Sequence, residues 1–254
     1  MKWKRFLWSF LWSFLVLGFS ILVAACGGGS NTSLPGNAPA PTVAQLSGAF
    51  TFSASGTDPA DGDYFVAGSL AADGKGGLTG IEDLNLGSGV DSQVPFTGTY
   101  QVDVGGNVTA TLSDGTGIPT VLTFPIPSAS SKSALVYNGT ANGNVQAQST
   151  SGFSNVGSFT FALNGEGEGT VTASGSFTTA GAGGITTGSE NYQDGNYTRT
   201  TSALSGQLSP QFSGGRGVAV IGPDIFSYYV VSPNQIVLAG LEDSTLLFGT
   251  ATKQ

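Results

Sequence analysis

Apolar and polar residues alternate over short runs along most of the chain after residue 45. Pairs of apolar residues spaced by two occur at Phe50 and Phe52, Phe159 and Phe161, and Phe226 and Tyr228. Successive side chains of a β-strand point to opposite faces, so this alternation predicts strands with one buried face. Glycine-containing pairs that suit tight hairpins separate the runs, for example Asp73-Gly74 and Asn138-Gly139. The pattern predicts an all-β protein.

The second half of this region repeats the landmarks of the first half in the same order. Residues 68–79 align with residues 175–186, and Thr97-Gly98 aligns with Ser205-Gly206. This predicts two repeats of about 100 residues, 46–150 and 151–254. Roughly eight short strands joined by short turns in each repeat predict an antiparallel meander. We expect each repeat to close into a small lipocalin-like barrel, and the alternative is a pair of β-sandwiches.

The first 26 residues have a different pattern. Lys2, Lys4 and Arg5 precede an uncharged and largely apolar run, residues 6–25. A positive start, an apolar core and small residues before a cleavage point are typical of an export signal. An uncleaved transmembrane helix is the alternative, because about 20 apolar residues can span a bilayer. The three glycines at 27–29 favour the signal, since they would end a helix.

Cys26 is the only cysteine and ends the segment Leu22-Val23-Ala24-Ala25-Cys26. This segment resembles the bacterial lipobox, which implies that Cys26 is lipidated and becomes the mature N-terminus. Several acyl chains anchor a protein stably where one chain does not. Gly27 follows the cysteine where an aspartate would resemble an inner-membrane retention signal, so the outer membrane is favoured. Residues 27–45 are rich in Gly, Ser and Pro and predict a linker.

Composition restricts the chemistry of the mature protein. The formal net charge of −8 becomes −11 when the three basic residues of the signal are removed. Such an acidic protein lacks the basic surface that nucleic acid requires, so we expect no nucleic-acid partner. The chain has no histidine, and lipidation would use its one cysteine. Ser-His-Asp and Cys-His catalysis and the usual zinc sites are therefore excluded, and we expect no cofactor.

Three aspartates form a candidate calcium site. Asp58, Asp61 and Asp63 cluster around Gly62. Calcium binds six to eight oxygens, and clustered carboxylates beside a glycine turn can supply several of them. A solvated acidic hairpin is the other interpretation. The second repeat has two glutamates at this place, in residues 165–168.

Glu82 and Glu190 are candidates for carboxylate chemistry. Glu82 and Asp83 are adjacent on one predicted strand, so their side chains should point to opposite faces and only one can face a cleft. Glu190 of the second repeat aligns with Asp83, which favours a structural role. Arg216 lies in a Gly-rich turn with no following helix to complete a phosphate cradle, which predicts a hairpin arginine. A hydrolase that depends on Glu82 or Glu190 is one functional hypothesis.

Several motifs of the region resemble uncharacterised bacterial lipoproteins, common in acidobacteria, that have tandem Gly-rich β repeats of about 100 residues. The matching segments are residues 68–78, Glu82-Asp83-Leu84-Asn85, Gly98-Thr99-Tyr100 and Gly215-Arg216-Gly217. The resemblance covers nearly all of residues 46–254. It departs from the pattern at Ser189-Glu190-Asn191, which replaces the full acidic motif. The resemblance implies no activity.

The favoured function is that of a lipid-anchored, non-enzymatic protein of the cell envelope. It would be exported, face the periplasm or the cell surface, and act as a binding or structural module toward a protein or glycan partner. A second hypothesis is a barrel carrier of a small hydrophobic ligand. The side chains that would line its cavity are Phe52, Phe124, Phe161 and Tyr228, although the same rings could instead fill the cores.

Overall fold

The computed structural model describes residues 40–59, 62–86, 89–129, 131–167, 169–242 and 245–254. Within these ranges the regular structure is β-strand, apart from two 3-10 turns at Val43–Gln45 and Ser213–Gly215. Cys26, the predicted signal and most of the predicted linker lie outside the described residues. No helix in the described ranges is long and apolar enough to cross a bilayer.

The first eight strands form a closed antiparallel barrel, here called barrel 1. They are β1 (Ser47–Asp58), β2 (Gly62–Asp73), β3 (Gly77–Asn85), β4 (Val90–Val102), β5 (Asn107–Ser113), β6 (Thr120–Pro125), β7 (Ser133–Tyr137) and β8 (Ala141–Ala147). Each strand pairs with the next one along the chain, and β8 returns to pair with β1, with Val145 opposite Phe52. Closure removes the exposed edges that an open sheet would present.

Nine further strands form barrel 2. They are β9 (Gly157–Glu166), β10 (Thr170–Ala180), β11 (Gly184–Asp194), β12 (Tyr197–Thr201), β13 (Gly206–Leu208), β14 (Arg216–Ile221), β15 (Asp224–Ser232), β16 (Gln235–Gly240) and β17 (Leu246–Lys253). Eight of them close an antiparallel ring through the β10–β11 and β17–β9 pairings, and β12 pairs with β11 beside it. The prediction of two tandem barrels is confirmed, and the sandwich alternative is wrong.

The predicted alternation sorts side chains between the inside and the outside of each barrel. In β5, Val108, Ala110 and Leu112 are buried between exposed neighbours. Aromatic side chains occupy both cores, including Phe52, Phe96, Phe124 and Tyr137 in barrel 1 and Phe161, Phe177, Phe226 and Tyr228 in barrel 2. Burial of one such side chain contributes about 1.5–3 kcal/mol, so these residues supply much of the driving force for closure.

A row of three residues crosses three neighbouring strands in the same way in each barrel. The rows are Phe52–Gly68–Glu82 and Phe161–Gly175–Glu190. A Cβ atom on Gly68 would lie 2.5 Å from the Phe52 ring, and one on Gly175 would lie 2.9 Å from the Phe161 ring. Glycine is required at these two positions because the phenylalanine ring and a neighbouring backbone carbonyl, of Ile81 at Gly68 and of Ser189 at Gly175, occupy the space of a side chain.

The two barrels meet along a contact here called the seam. Its apolar part consists of Phe65, Ala67, Tyr229, Val231, Val237, Ala239 and Leu246. The Phe65 ring stacks on Phe248 with centroids 4.2 Å apart and planes 11° apart. The strands β2 and β15 are buried on both faces, which explains why the alternation is lost there. Both barrels belong to one compact unit.

Candidate functional site

The four aromatic side chains predicted as ligand contacts lie in the barrel cores. They are at most 4 % exposed: Phe52, Phe124, Phe161 and Tyr228. The Phe52 ring centroid lies 6.3 Å from that of Phe96 and 6.5 Å from that of Tyr137. The Tyr228 hydroxyl donates to the Ser209 carbonyl oxygen at 2.6 Å. These rings pack against other core groups, and their role toward a ligand stays a prediction.

Glu82 points from β3 into barrel 1, where it is 6 % exposed. The Tyr137 hydroxyl faces both of its carboxylate oxygens as a donor, at 3.3 and 3.4 Å. None of the ion pairs formed by the described residues includes Glu82. Burial raises the pKa of Glu82 to about 7, although the Tyr137 hydrogen bond acts in the opposite direction. This carboxyl group therefore changes its charge near neutral pH.

Glu190 lies at the corresponding place in barrel 2 and is 2 % exposed, but its neighbour is a cation. Nη2 of Arg199 on β12 donates to Oε2 of Glu190 at 2.8 Å and lies 3.6 Å from Oδ2 of Asp224. The guanidinium also lies over the Tyr192 ring, 4.5 Å from its centroid. Burial and the charge of Glu190 raise the pKa of Asp224 to about 6, while Arg199 lowers it. Arg199 thus compensates two carboxylates at this end of barrel 2.

The two barrels differ at the position of the phenol. Tyr137 of β7 pairs with Leu122, whereas Gly240 of β16 pairs with Phe226 at the corresponding place. The cross-strand pair of Tyr137 and Leu122 in barrel 1 is thus replaced in barrel 2 by the pair of Gly240 and Phe226. Glu190 has no phenol at that position, and its partner comes from β12 instead.

The strand register corrects the alignment of Glu190 with Asp83. Glu190 lies opposite Gly175, as Glu82 lies opposite Gly68. Because side chains alternate along a strand, an error of one residue moves a side chain to the other face. Glu190 therefore corresponds to the interior Glu82 and not to the exterior Asp83.

Asp83 points out of barrel 1 and forms a buried ion pair across the seam. Nε and Nη2 of Arg216 on β14 donate to its two carboxylate oxygens, each at 2.8 Å. The hydroxyls of Tyr229 and Ser92 donate to it at 2.5 and 2.7 Å. Burial acts to raise the pKa of Asp83, but the hydrogen bonds from Arg216 and Tyr229 hold it below its usual value. These four residues are here called the seam clamp.

A β-bulge in β4 supports the seam clamp. The register between β3 and β4 shifts between Glu82 and Leu84, and Gln93 in the bulge has a φ of 59°. Its backbone N–H donates to Oδ1 of Asp83 at 2.9 Å. A positive φ is uncommon for a residue other than glycine, so the bulge is a specific feature that aims an extra donor at the carboxylate.

The sequence predicted a hairpin arginine at Arg216 and did not predict the clamp. Arg216 does follow a turn, but it is 2 % exposed and its partner Asp83 lies 133 residues away in the chain. One signal was available: only two arginines follow Cys26. A scarce arginine is a natural partner for a buried carboxylate, since its guanidinium matches carboxylate geometry.

A groove of about 290 Å³ lies along the seam and is here called the acidic groove. Its lining includes Thr57, Asp63 and Tyr64 from barrel 1 and Asn164, Glu166 and Phe248 from barrel 2. The Thr57 hydroxyl donates to Asp63 at 2.5 Å. Among the described residues, no lysine or arginine lines this groove. Asp63 and Glu166 flank the β1–β2 and β9–β10 turns, so the duplication brings two equivalent acidic hairpins to one groove.

A second groove, of about 380 Å³, lies elsewhere along the seam, and none of the described residues that line it is charged. Leu70, Ile81 and Pro95 form part of its wall. Gln148 donates from Nε2 to the carbonyl oxygens of Gly214 and Val230 at 2.9 and 2.8 Å, which ties the two barrels together beside it.

Two of the three aspartates of the candidate calcium site, Asp58 and Asp63, lie within the described residues. Asp58 ends β1 and Asp63 lines the acidic groove, whereas Asp61 lies outside the described residues. In the described part of the chain, no group of three or more acidic, histidine or cysteine side chains is arranged to hold a metal ion. The calcium site and the lipidation of Cys26 stay predictions.

No known protein family matches the chain. No curated protein matches it either. Among solved structures, it is similar to a protein of Nitrosomonas europaea described as an AttH, with a TM-score of 0.28 and 6% identity over 82% of this chain and 92% of that one. It is also similar to kievitone hydratase from Nectria haematococca, with a TM-score of 0.24 and 11% identity over 89% and 96% of the two chains. Scores this low support no conclusion about function.

Proposed function

We propose that the protein is a lipid-anchored, non-enzymatic binding module of the cell envelope that holds its partner on the outside of the double barrel. Cys26 would anchor it, and residues 27–45 would space the barrels from the membrane. The observation that carries this proposal is the acidic groove, because its walls come from both barrels and buried seam contacts fix the barrels to each other.

The chemistry of the acidic groove favours a positively charged partner. Asp63 of barrel 1 and Glu166 of barrel 2 contribute carboxylates to the lining, and Phe248 contributes aromatic surface. An ammonium or guanidinium group gains attraction from carboxylates and from aromatic faces. The predicted mature charge of −11 adds a long-range attraction for cations. We propose a basic segment of another envelope protein as the occupant.

A tetralysine peptide with a fluorescent label is the probe for the groove. In anisotropy titrations of the full chain in detergent, Asp63→Asn with Glu166→Gln should weaken binding by up to about 30-fold, since each of the two lost ion pairs contributes up to about 1 kcal/mol. Asp91→Asn with Asp114→Asn changes the net charge equally but lies outside the groove. Equal weakening by both pairs would mean unspecific attraction and would overturn the groove as the site.

The anchor has a separate test. In a bacterial host, the native chain should partition with membranes, whereas Cys26→Ala should not after signal cleavage. A Cys26→Ala variant that still sediments with membranes would refute the anchor. Native mass spectrometry tests where a ligand lies: an extra mass that leaves on unfolding would favour the carrier hypothesis over binding at the outer groove.

A further inference from the structure

Three acidic side chains are buried in the described part of the chain, and two of them have an arginine. Asp83 contacts Arg216 and Glu190 contacts Arg199. Glu82 is the third, and its hydrogen-bond partner is the Tyr137 hydroxyl. A buried carboxylate without a cation is unstable in its charged form, because it loses hydration and gains no opposite charge.

The titratable groups around Glu82 in the described part of the chain do not include a cation. Tyr137 faces it from β7, and Tyr64 of β2 lies against Tyr137 with ring centroids 6.4 Å apart. Asp114, which follows β5, and Asp83 on the opposite face of β3 act on it with negative charge. Each of these charges opposes ionisation of Glu82 rather than favouring it.

We infer that Glu82 is a proton-operated switch of barrel 1. When it is protonated, β3 packs stably against the core. When it is ionised, the charge loosens β3, which also carries Asp83 of the seam clamp. This inference does not depend on the proposed partner or on the acidic groove, since it concerns the core of barrel 1.

The direction of the pH effect on the stability of barrel 1 follows from the linkage between proton binding and folding. The pKa of Glu82 rises from 4.5 to about 7 on folding, so the folded barrel binds the proton more tightly than the unfolded chain does. The stabilisation is complete below about pH 4.5 and is lost as the pH rises toward 7. The ratio of open to closed barrel 1 should rise by up to about 100-fold between pH 4.5 and pH 8, because the loss of stability continues as the pH passes through 7.

Barrel 2 has a carboxyl group whose pKa is also raised, so the measurement must resolve the two barrels. Asp224 has a pKa of about 6, but it is partly exposed and lies near Arg199. Hydrogen–deuterium exchange with peptide-level mass spectrometry separates the signals. It would be run on the full chain in detergent between pH 4.5 and 8, with rates corrected for the intrinsic effect of pH.

The protection of β1–β3 peptides should fall by up to about 100-fold between pH 4.5 and pH 8 in the native chain. Glu82→Gln should remove this fall, and Asp224→Asn should leave it in place. Tyr137→Phe removes the donor to Glu82 and should extend the fall to higher pH. A native chain without the fall, or an equal fall in Glu82→Gln, would overturn the switch. If Glu82→Gln does not fold, an unchanged profile in Tyr137→Phe would overturn it.

Discussion

Barrel 1 and barrel 2 bury a glutamate at the same point of the same Phe–Gly–Glu row, and they treat its charge differently. Among the described residues, the hydrogen-bond partner of Glu82 is a tyrosine hydroxyl, whereas that of Glu190 is an arginine. The row depends on a phenylalanine ring that covers a glycine, so it is a property of the backbone and of shape. The electrostatic partner of each glutamate comes from a different strand: Tyr137 on β7 for Glu82 and Arg199 on β12 for Glu190.

The two barrels share a fold, but their equivalent buried glutamates have partners of different charge. The described part of the chain has two arginines, and they serve Asp83 and Glu190. Barrel 1 therefore keeps one buried carboxylate whose charge is uncompensated. We expect the stability of barrel 1 to respond to pH through its core, whereas the response of barrel 2 comes from a partly exposed group.

The largest effect should come from the clamp that joins the two barrels. Arg216→Met leaves the Asp83 carboxylate buried without its cation, so we expect a loss of about 3–5 kcal/mol in the free energy of unfolding. Urea unfolding followed by far-ultraviolet circular dichroism measures it. Adding Asp83→Asn to the same chain should restore part of the loss. A loss below about 1 kcal/mol would contradict the clamp.

The matching change within barrel 2 should have a smaller effect. Arg199→Met removes the partner of Glu190, but the Arg199 side chain is 27% exposed, so water can reach the site. We expect a loss of about 2 kcal/mol by the same measurement. Addition of Glu190→Gln should recover most of it. If the double variant is no more stable than Arg199→Met alone, the charge of Glu190 is not the cause.

The shared Phe–Gly–Glu row predicts similar effects in both barrels. Gly68→Ala and Gly175→Ala should each cost about 1–3 kcal/mol, because the new methyl group would overlap the phenylalanine ring and a neighbouring backbone carbonyl. Gly89→Ala is the matched control, since its added Cβ would have no atom within 4 Å. Effects that differ widely between Gly68 and Gly175 would show that the two rows are not equivalent.

The smallest effect should come from Asp224. Its pKa rises from 3.8 to about 6 on folding, so its contribution to stability is lost as the pH rises through that range. Asp224→Asn should therefore stabilise the protein slightly at pH 7, by less than about 1 kcal/mol, and should have no effect below pH 3.8. Thermal unfolding at the two pH values measures this. Destabilisation at pH 7 would mean that its ion pair with Arg199 dominates.

Local patterns predicted which face many side chains take. Glu82 and Asp83 point to opposite faces of β3, and Tyr228 and Tyr229 divide between the core of barrel 2 and the seam. The alignment was wrong by one residue at Glu190, because the sequences around Glu82 and Glu190 differ and no strand register was available to align them. That error reversed the predicted face, as any single-residue shift in a strand does.

The sequence by itself determined that the protein is all-β, that it consists of two repeats, and that each repeat is an antiparallel meander, whereas the closure of each meander into a barrel is seen in the structure. These properties follow from alternation, turn residues and repeat spacing, which are local along the chain. Only the tertiary structure decided which buried carboxylate has a cation and where the barrels touch. Asp83 and Arg216 are 133 residues apart, so their contact exists only after both barrels have closed and packed. The seam is formed by outward-facing residues of the two barrels. A local sequence pattern shows that such residues face outward, but it does not show which of them contact each other.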